Sequence, residues 1–332
     1  SYKWYANNDA VQPTDAWPAG AANLAENDPI TQNAVQNLES KLPGTWLKRT
    51  TGPISALAYD SANKTVYILN QYGSHFGKYD TRFDIFTDLT EKISPFMSGS
   101  ASRQGLSIAF DSTNGAVYIG GYLGKFFKYT PATDTATDLT AKISSFWSTY
   151  NLDALTFDST NAVIYLGGAS GKFAKYAPAT DTATDLTAKI SSFWSTSAIY
   201  DLTFDSINGV IYLGGSSGKF AKYTPASDTA TDLTAKISSF WSTYNLNALT
   251  FDSTNSAIYL GGASGAGLRF AKYTPATDTA VDLAAKISSL IGQVLVLAFD
   301  SVNSDVYIGG LSSYSRGKFL KYNPAADTAT NL

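Results

Sequence analysis

The chain has 332 residues, a formal net charge of −3, no cysteine and 15% charged residues. The absence of cysteine excludes disulfides, thiolate catalysis and zinc–thiolate sites, and the slightly acidic balance gives no footprint for nucleic acid. The length allows one large repeat domain, and no apolar run approaches the about 20 residues of a membrane-spanning helix.

Residues 1–53 form an arm whose sequence differs from everything that follows. Asp28 is a favourable helix N-cap, Pro29 suits the first helical position, and Pro43 stops the apolar stripe. We therefore predict a short helix near 29–42. A competing alignment matches VQNLESKL with the later ATDLTAKI and makes the same residues a spare outer strand.

From residue 54 to residue 332 the sequence repeats. The motif Phe-Asp-Ser, with Tyr59 heading the first copy, recurs at spacings of 51, 47, 47, 47 and 48 residues. A period of about 40–50 residues is typical of propeller blades or helical solenoids. The six units begin near residues 54, 106, 152, 199, 246 and 294.

The local pattern of one unit, residues 152–198, decides between these two architectures. LDALTF alternates, AVIYLGG is β-branched and aromatic, KFAKY alternates again, and TATDL is a short threonine-rich run. Asp-Ser-x-Asn separates the first two segments in all six units, and these residue types favour a tight hairpin turn. Four strands in each unit predict an all-β fold, a six-bladed β-propeller of four-stranded blades over residues 54–332.

The run IYLGG…KFAKYAPATDTATDL resembles the kelch repeat, in which a glycine doublet follows an apolar strand and a Pro-x-Thr-Asp-Thr-Trp turn follows a tyrosine. The resemblance covers all six units and implies a propeller, but it implies little about function. The kelch tryptophan is missing here, so another group must fill its volume. The residues in its place are Phe86, Ala136, Ala183, Ala230, Ala280 and Ala329.

The segment LTAKISSFW between units has the spacing of a short helical stripe rather than of a strand. It puts Leu139, Ile143 and Trp147 on one face, and we expect these side chains to fill the space between blades. The equivalent tryptophans form either an aromatic platform for sugars or packing between blades. They are Trp46, Trp147, Trp194 and Trp241. Met97 and Ile291 hold the same position in other units and favour packing, because neither offers an aromatic face.

Two charged rows recur in the repeats, lysines in the third strand and aspartates in the fourth. We expect them to pair across strands on the outer blade surface rather than to form a basic ring for an anion. The lysines are Lys78, Lys128, Lys175, Lys222, Lys272 and Lys321. The aspartates are Asp88, Asp138, Asp185, Asp232 and Asp282.

In a propeller, the connections between strands two and three lie at the end opposite the Asp-Ser-x-Asn turns. That end varies among the copies, and its unusual residues fall in units one, two, five and six. Deviant loops on a rigid scaffold often bind ligands, whereas sequence drift at the ends of the array is the competing interpretation. The candidate binding residues are Tyr72, His75, Arg103, Gln104, Arg269, Tyr314 and Arg316.

The sequence shows no recognisable catalytic set. His75 is the single histidine, so a site with several histidine ligands for copper or zinc cannot form. The run GASGK resembles part of a phosphate loop but lacks the earlier glycine and the following serine or threonine. We expect no metal, no cofactor and no enzymatic activity, with an aspartate-based hydrolase as the remaining enzymatic alternative.

The expected protein is therefore a structural or interaction protein outside the cell or at its surface. A start at Ser1 fits a processed, exported chain, and the low content of charged residues points the same way. The aromatic residues of the arm are expected to pack on another copy and to build a filament or surface array. These residues are Tyr2, Trp4, Tyr5 and Trp17. The alternative is a propeller that binds a glycan or a surface protein through its variable end.

Overall fold

The fold consists of six four-stranded antiparallel sheets, each made of four strands that are consecutive in the sequence. It is seen in a computed structural model, which describes residues 54–70, 75–96, 105–264, 267–311 and 317–332. The predicted β-propeller of six four-stranded blades is confirmed. The helix predicted near 29–42 lies outside the described residues.

The strands of each blade follow one another from the centre of the ring outwards. The first strands are β1 (Ile54–Asp60), β5 (Gly105–Asp111), β9 (Leu152–Asp158), β13 (Ile199–Asp205), β17 (Asn245–Asp252) and β21 (Gln293–Asp300). The second strands are β2 (Thr65–Asn70), β6 (Ala116–Gly121), β10 (Val163–Gly168), β14 (Val210–Gly215), β18 (Ala257–Ser264) and β22 (Asp305–Leu311). The third strands are β3 (Phe76–Asp80), β7 (Phe126–Thr130), β11 (Phe173–Ala177), β15 (Phe220–Thr224), β19 (Gly267–Thr274) and β23 (Gly317–Asn323). The fourth strands are β4 (Ile85–Asp88), β8 (Thr135–Asp138), β12 (Thr182–Asp185), β16 (Thr229–Asp232), β20 (Thr279–Asp282) and β24 (Thr328–Asn331).

The first strands pack against one another in chain order. β1 contacts β5, β5 contacts β9, β9 contacts β13, β13 contacts β17, and β17 contacts β21. No comparable packing joins β21 to β1 within the described residues. The space between blade six and blade one therefore differs from the five spaces that precede it.

A short helix follows the fourth strand in each of the first five blades. These helices are α1 (Thr90–Ile93), α2 (Thr140–Trp147), α3 (Thr187–Trp194), α4 (Thr234–Trp241) and α5 (Ala284–Ile287). The first N–H groups of a helix have no partner within it, and an aspartate of the preceding strand accepts one of them here. At the start of α3, the N–H of Thr187 donates to Asp185 Oδ1 at 2.9 Å. The helical stripe predicted between blades is confirmed.

The space between two successive blades, called a seam below, holds the apolar core. In the seam between blades two and three, Leu139, Ile143 and Trp147 are buried together with Leu152 and Tyr176. The helix that links two blades thus fills the seam between them. Ala183, one of the alanines that recur in the fourth strands, packs against the same cluster.

The tryptophans at the ends of three helices are packing residues. Trp147, Trp194 and Trp241 are completely buried, and each indole N–H donates to a backbone oxygen of its own linker at 2.8–3.0 Å. A buried indole needs such a partner, because its unpaired N–H would be costly. The sugar-platform interpretation is therefore wrong for these three residues, and Trp46 lies outside the described part of the chain.

The lysine and aspartate rows do not pair as the sequence suggested. Lys175 of β11 lies opposite Thr184 of β12, and Asp185 lies opposite Ala174. Register decides which side chains are neighbours, and an offset of one position moves a side chain to the other face. The predicted cross-strand ion pairs are wrong, and these aspartates cap the linker helices instead.

Candidate interaction surface

The connections within each blade lie at two opposite ends of the ring. The turn end carries the Asp-Ser-x-Asn turns, and the loop end carries the connections between second and third strands together with the linkers. At the loop end, the N–H of Ala169 donates to the carbonyl oxygen of Asn151 at 3.1 Å, and the N–H of Ser216 donates to that of Ala198 at 2.9 Å. Each loop of these two blades is therefore held by the linker that precedes the blade.

The carboxylates at the turn end are fully engaged in local structure. Asp158 Oδ1 accepts the N–H groups of Thr160 and Asn161 at 2.9 and 3.0 Å, and Oδ2 accepts the Asn161 side-chain amide at 2.7 Å. The same three hydrogen bonds recur in all six blades. A carboxylate held by three donors is a turn-forming group, and it is not available as a catalytic acid or base.

A second set of aspartates joins successive blades. Asp181 Oδ1 accepts the hydroxyl of Tyr176 in its own blade at 2.7 Å, and Oδ2 lies 2.6 Å from Lys142 Nζ of the preceding linker helix. The Lys142 ammonium holds the pKa of this carboxyl below its ordinary value, and the Tyr176 hydroxyl and the nearby Lys128 act in the same direction. The described pairs of this kind are Lys92–Asp134, Lys142–Asp181, Lys189–Asp228, Lys236–Asp278 and Lys286–Asp327.

Two of the seven candidate binding residues lie in the described part of the chain, both at the loop end. His75 lies just before β3 in blade one, with its Nδ1 3.3 Å from Thr90 Oγ1. Burial lowers the pKa of His75, and the negative charge of Asp88 opposes this effect. The imidazole is partly buried and lies beside Thr90 at the start of α1.

Arg269 lies in β19 of blade five, and its guanidinium carbon is 4.0 Å from the centre of the Tyr244 ring. One guanidinium nitrogen donates to the carbonyl oxygen of Leu268 at 2.7 Å. The Nε atom is buried and has no hydrogen-bond partner among the described residues. Gly267 permits this arrangement, because a Cβ there would lie 2.3 Å from the Tyr244 ring. Blade six separates Arg269 from His75, so the structure does not bring the two residues together.

Sequence reasoning missed the aromatic partners of these cations. Tyr150 in the linker after α2 has Lys172 Nζ at 5.7 Å from its ring centre, in the same relation as Tyr244 and Arg269. The linker after α3 has Ser197 at the position of these tyrosines. Without an aromatic ring there, Lys219 donates to the carbonyl oxygen of Phe193 instead. The repeated string STYNL was the available signal, since it occurs in the two linkers that carry tyrosine.

The outer edge of blade one differs from that of the other blades. Phe83 and Ile85 are 66% and 56% exposed there. Blades two to five carry hydroxyl pairs in these positions, each at 2.7 Å: Thr133–Thr135, Thr180–Thr182, Ser227–Thr229 and Thr277–Thr279. Phe83 and Ile85, named the rim patch below, therefore form an apolar surface that blades two to five do not repeat.

The remaining candidate residues lie outside the described residues. In the loops they are Tyr72, Arg103, Gln104, Tyr314 and Arg316, and in the arm they are Tyr2, Trp4, Tyr5 and Trp17. Their proposed roles in binding and self-assembly stay predictions.

Neither a metal centre nor a membrane helix is found in the described ranges. No group of three or more His, Cys, Asp or Glu side chains there could hold a metal ion, and no helix there is long and apolar enough to cross a bilayer. A cavity of ≈ 160 Å³ lies along β1, β5 and β9, near Tyr59, Phe110 and Phe157. Pockets for small molecules are usually about 300–1,000 Å³, so this cavity is small for a substrate.

No protein-family model and no curated protein matches the sequence. Solved structures match it in fold. Two are crystal structures of an extracellular domain from B. thetaiotaomicron, one described as part of a hybrid two component system and the other as part of a one component system. They are 12% and 11% identical to this chain, with TM-scores of 0.58 and 0.57. The matches cover 83% and 86% of this chain but 39% and 41% of theirs, so the chain spans about two-fifths of their length.

A third similar structure is a chain of the mitotic checkpoint complex. It is 12% identical, has a TM-score of 0.61, and the match covers 84% of this chain and 76% of that one. Identities this low show a shared architecture only. The protein is therefore a β-propeller repeat protein.

Proposed function

We propose that this protein is a non-enzymatic, extracellular interaction protein with divergent kelch-like repeats, and that it assembles with other copies of itself through its N-terminal arm. The observation that carries this proposal is the rim patch. Phe83 and Ile85 are exposed on the outer edge of blade one, at two positions where blades two to five carry hydroxyl pairs, and Val281 is the one large apolar side chain exposed on the outer strands of those four blades. Apolar side chains that stay exposed on one copy of a repeat often mark a contact surface.

The arm has the chemistry to cover such a patch. Residues 1–28 carry Tyr2, Trp4, Tyr5 and Trp17. Aromatic side chains contribute large apolar areas, and burying one contributes about 2 kcal/mol or more. The arm of a second copy is therefore the occupant that we assign to the rim patch. Because arm and rim patch are different surfaces, this contact is head-to-tail and extends into a filament or array unless the ring of subunits closes.

Light scattering over a range of concentrations tests the proposal. The full chain should grow in mass with concentration, whereas deletion of residues 1–28 or the double change Phe83→Asp/Ile85→Asp should leave monomers. The matched control is Thr133→Asp/Thr135→Asp, which adds the same charges to the outer edge of blade two and should still assemble. A full chain that stays monomeric at high concentration, or a rim variant that assembles like the control, contradicts the proposal.

The extracellular assignment has two supports. Charged residues make up only 15% of the chain, and two similar folds are extracellular domains in their own proteins. The absence of enzymatic activity is supported by the aspartates of the Asp-Ser-x-Asn turns, each of which accepts three local hydrogen bonds. Secretion of the protein by its source cells, followed in cell fractions with an antibody, is the direct measurement of location.

A second candidate function is binding of a glycan or a surface protein at the loop end. Arg269 favours it, because its guanidinium stacks on Tyr244 while Nε is buried with no hydrogen-bond partner among the described residues. A glycan array probed with the wild type and with Arg269→Ala should then show loss of signal in the variant. Arg82→Ala, which removes an arginine paired with Asp80 on the outer edge, is the control. Equal signals from Arg269→Ala and wild type contradict this function.

A further inference from the structure

Each described seam is sealed by a linker with three anchors. In the seam between blades two and three, the N–H of Leu139 donates to the carbonyl oxygen of Phe126 in blade two at 2.8 Å. Ile143 and Trp147 are completely buried in the seam. Lys142 reaches forward and pairs with Asp181 of blade three. The linker therefore bonds to the blade before it and pairs with the blade after it.

The place between blade six and blade one has no such linker among the described residues. β21 does not pack on β1 as the other first strands pack on their neighbours. Leu57 of β1 is only half-buried, whereas the equivalent Ile108, Leu155 and Leu202 are at most 1% exposed. Leu57 of blade one is thus only partly covered at the position where each later blade meets its predecessor.

The sequence contains one further copy of the linker pattern, and this copy precedes β1. Leu38, Lys41, Leu42 and Trp46 have the same spacing as Leu139, Lys142, Ile143 and Trp147. The distance in sequence from this linker to the next blade also matches that of a described linker. It is counted from the last linker position to the aromatic residue near the end of the next first strand. It is thirteen residues from Trp46 to Tyr59 and thirteen from Met97 to Phe110.

Pro43 fits this alignment because not all linkers are long helices. A proline at the fifth position would disrupt an eight-residue helix such as α2. The linker after blade one is different: α1 ends at Ile93 after four residues and is followed by the 3-10 turn Ser94–Phe96, which contains Pro95. The sequence from Glu39 to Leu42 corresponds to α1, and Pro43 falls after its end, as Pro95 does. This alignment follows the register of VQNLESKL on ATDLTAKI and is an alternative to the longer helix expected near 29–42.

We infer that residues 37–46 form the sixth linker and seat on blade one of the same chain, with Lys41 beside Asp84 and Trp46 in the open space before β1. Asp84 follows β3 as Asp181 follows β11, and it accepts the hydroxyl of Tyr79 in the same way. We assign the segment to its own chain because every described linker lysine pairs with the blade that directly follows it in sequence. The inference does not depend on the proposed function, since it concerns 37–46 and leaves residues 1–28 free to contact another copy.

Cysteine cross-linking in the full chain tests the inference, because the chain has no cysteine of its own. The double variant Lys41→Cys/Asp84→Cys is treated with a short bis-maleimide and analysed on a denaturing gel. The positive control is Lys142→Cys/Asp181→Cys, whose native side chains lie 2.6 Å apart. The negative control is Lys41→Cys/Asp232→Cys, which pairs the same arm residue with blade four.

We expect a cross-linked monomer in a yield close to that of the positive control and about tenfold above that of the negative control, as intramolecular proximity dictates. A mixture of the two single variants should give no cross-linked dimer. A yield at the level of the negative control overturns the inference. Cross-linking that appears only as dimers also overturns it, because the linker would then seat on a different copy. Loss of self-assembly on deleting residues 1–28 is a separate result and decides the proposed function alone.

Discussion

Two seams of the ring place their large and small residues on opposite sides. Between blades three and four, the small residue is Gly167 of blade three, where a Cβ would lie 2.6 Å from Ile199 and 3.3 Å from Leu202. The large residue Ile199 comes from blade four. The glycine is therefore required by close approach of its neighbours rather than by an unusual backbone angle.

Between blades one and two the order is reversed. Leu69 of blade one pairs with Ala56 as Gly167 pairs with Ala154, so the two residues hold the same position. Gly105 of blade two pairs with Gly121 as Ile199 pairs with Gly215. Leucine and glycine thus stand where glycine and isoleucine stand in the other seam. The combined volume of the two side chains is therefore similar in both seams, as expected for a close-packed interior. The large side chain comes from the earlier blade in one seam and from the later blade in the other.

Removing the tryptophan of the seam between blades three and four should have the largest effect. Trp194 is completely buried and donates to the carbonyl oxygen of Ser197. We expect Trp194→Ala to lower the free energy of unfolding by about 3–5 kcal/mol, measured by denaturant titration. Trp194→Met should lose less, because Met97 holds this sequence position between blades one and two. If the alanine variant unfolds like the wild type, the indole does not seal this seam.

Exchanging the large and small residues tests the comparison directly. Gly167→Leu should destabilise the protein by about 1–3 kcal/mol, because leucine overpacks the space that Ile199 fills. The double variant Gly167→Leu/Ile199→Gly copies the arrangement of blades one and two. We expect it to be more stable than the sum of its single variants, by about 0.5–3 kcal/mol in a double-mutant cycle. Strict additivity in that cycle would show that the two positions do not share one volume.

The sequence was sufficient for the blades and for the helical segments between them, but not for the ion pairs that join successive blades. Strands and Asp-Ser-x-Asn turns are local patterns, and the six copies supply their own alignment. The pair of Lys142 and Asp181 spans two blades and 39 positions, so no local pattern indicates it. The expected pairing of Lys175 with Asp185 was wrong because strand register shifts the aspartate to the helix start. Of the loop candidates, only His75 and Arg269 lie among the described residues.

A loop-end residue should matter less for stability than a seam residue. Arg269 stacks on Tyr244 at 4.0 Å, and its guanidinium also bonds one backbone oxygen. We expect Arg269→Ala to lower the free energy of unfolding by about 0.5–1 kcal/mol, the usual size of a cation–π contact near the surface. Arg269→Lys should recover part of this loss. A loss as large as that of Trp194→Ala would place Arg269 among the sealing residues instead.

The ion pair between Lys142 and Asp181 should give the smallest effect, and its dependence on pH identifies it. The folded protein lowers the pKa of Asp181, first through Lys142 and then through Tyr176. A carboxyl with a lowered pKa stabilises the fold above its ordinary pKa of about 4, and this contribution is lost as the pH falls through the lowered value. The difference in stability between wild type and Asp181→Asn should therefore be present at pH 7 and vanish at strongly acidic pH. The difference should also shrink in 1 M salt, because the pair is exposed and the Debye length at that ionic strength is only about 3 Å. A difference that persists unchanged in acid would contradict this prediction. It would show that the effect of Asp181→Asn does not come from the negative charge of Asp181.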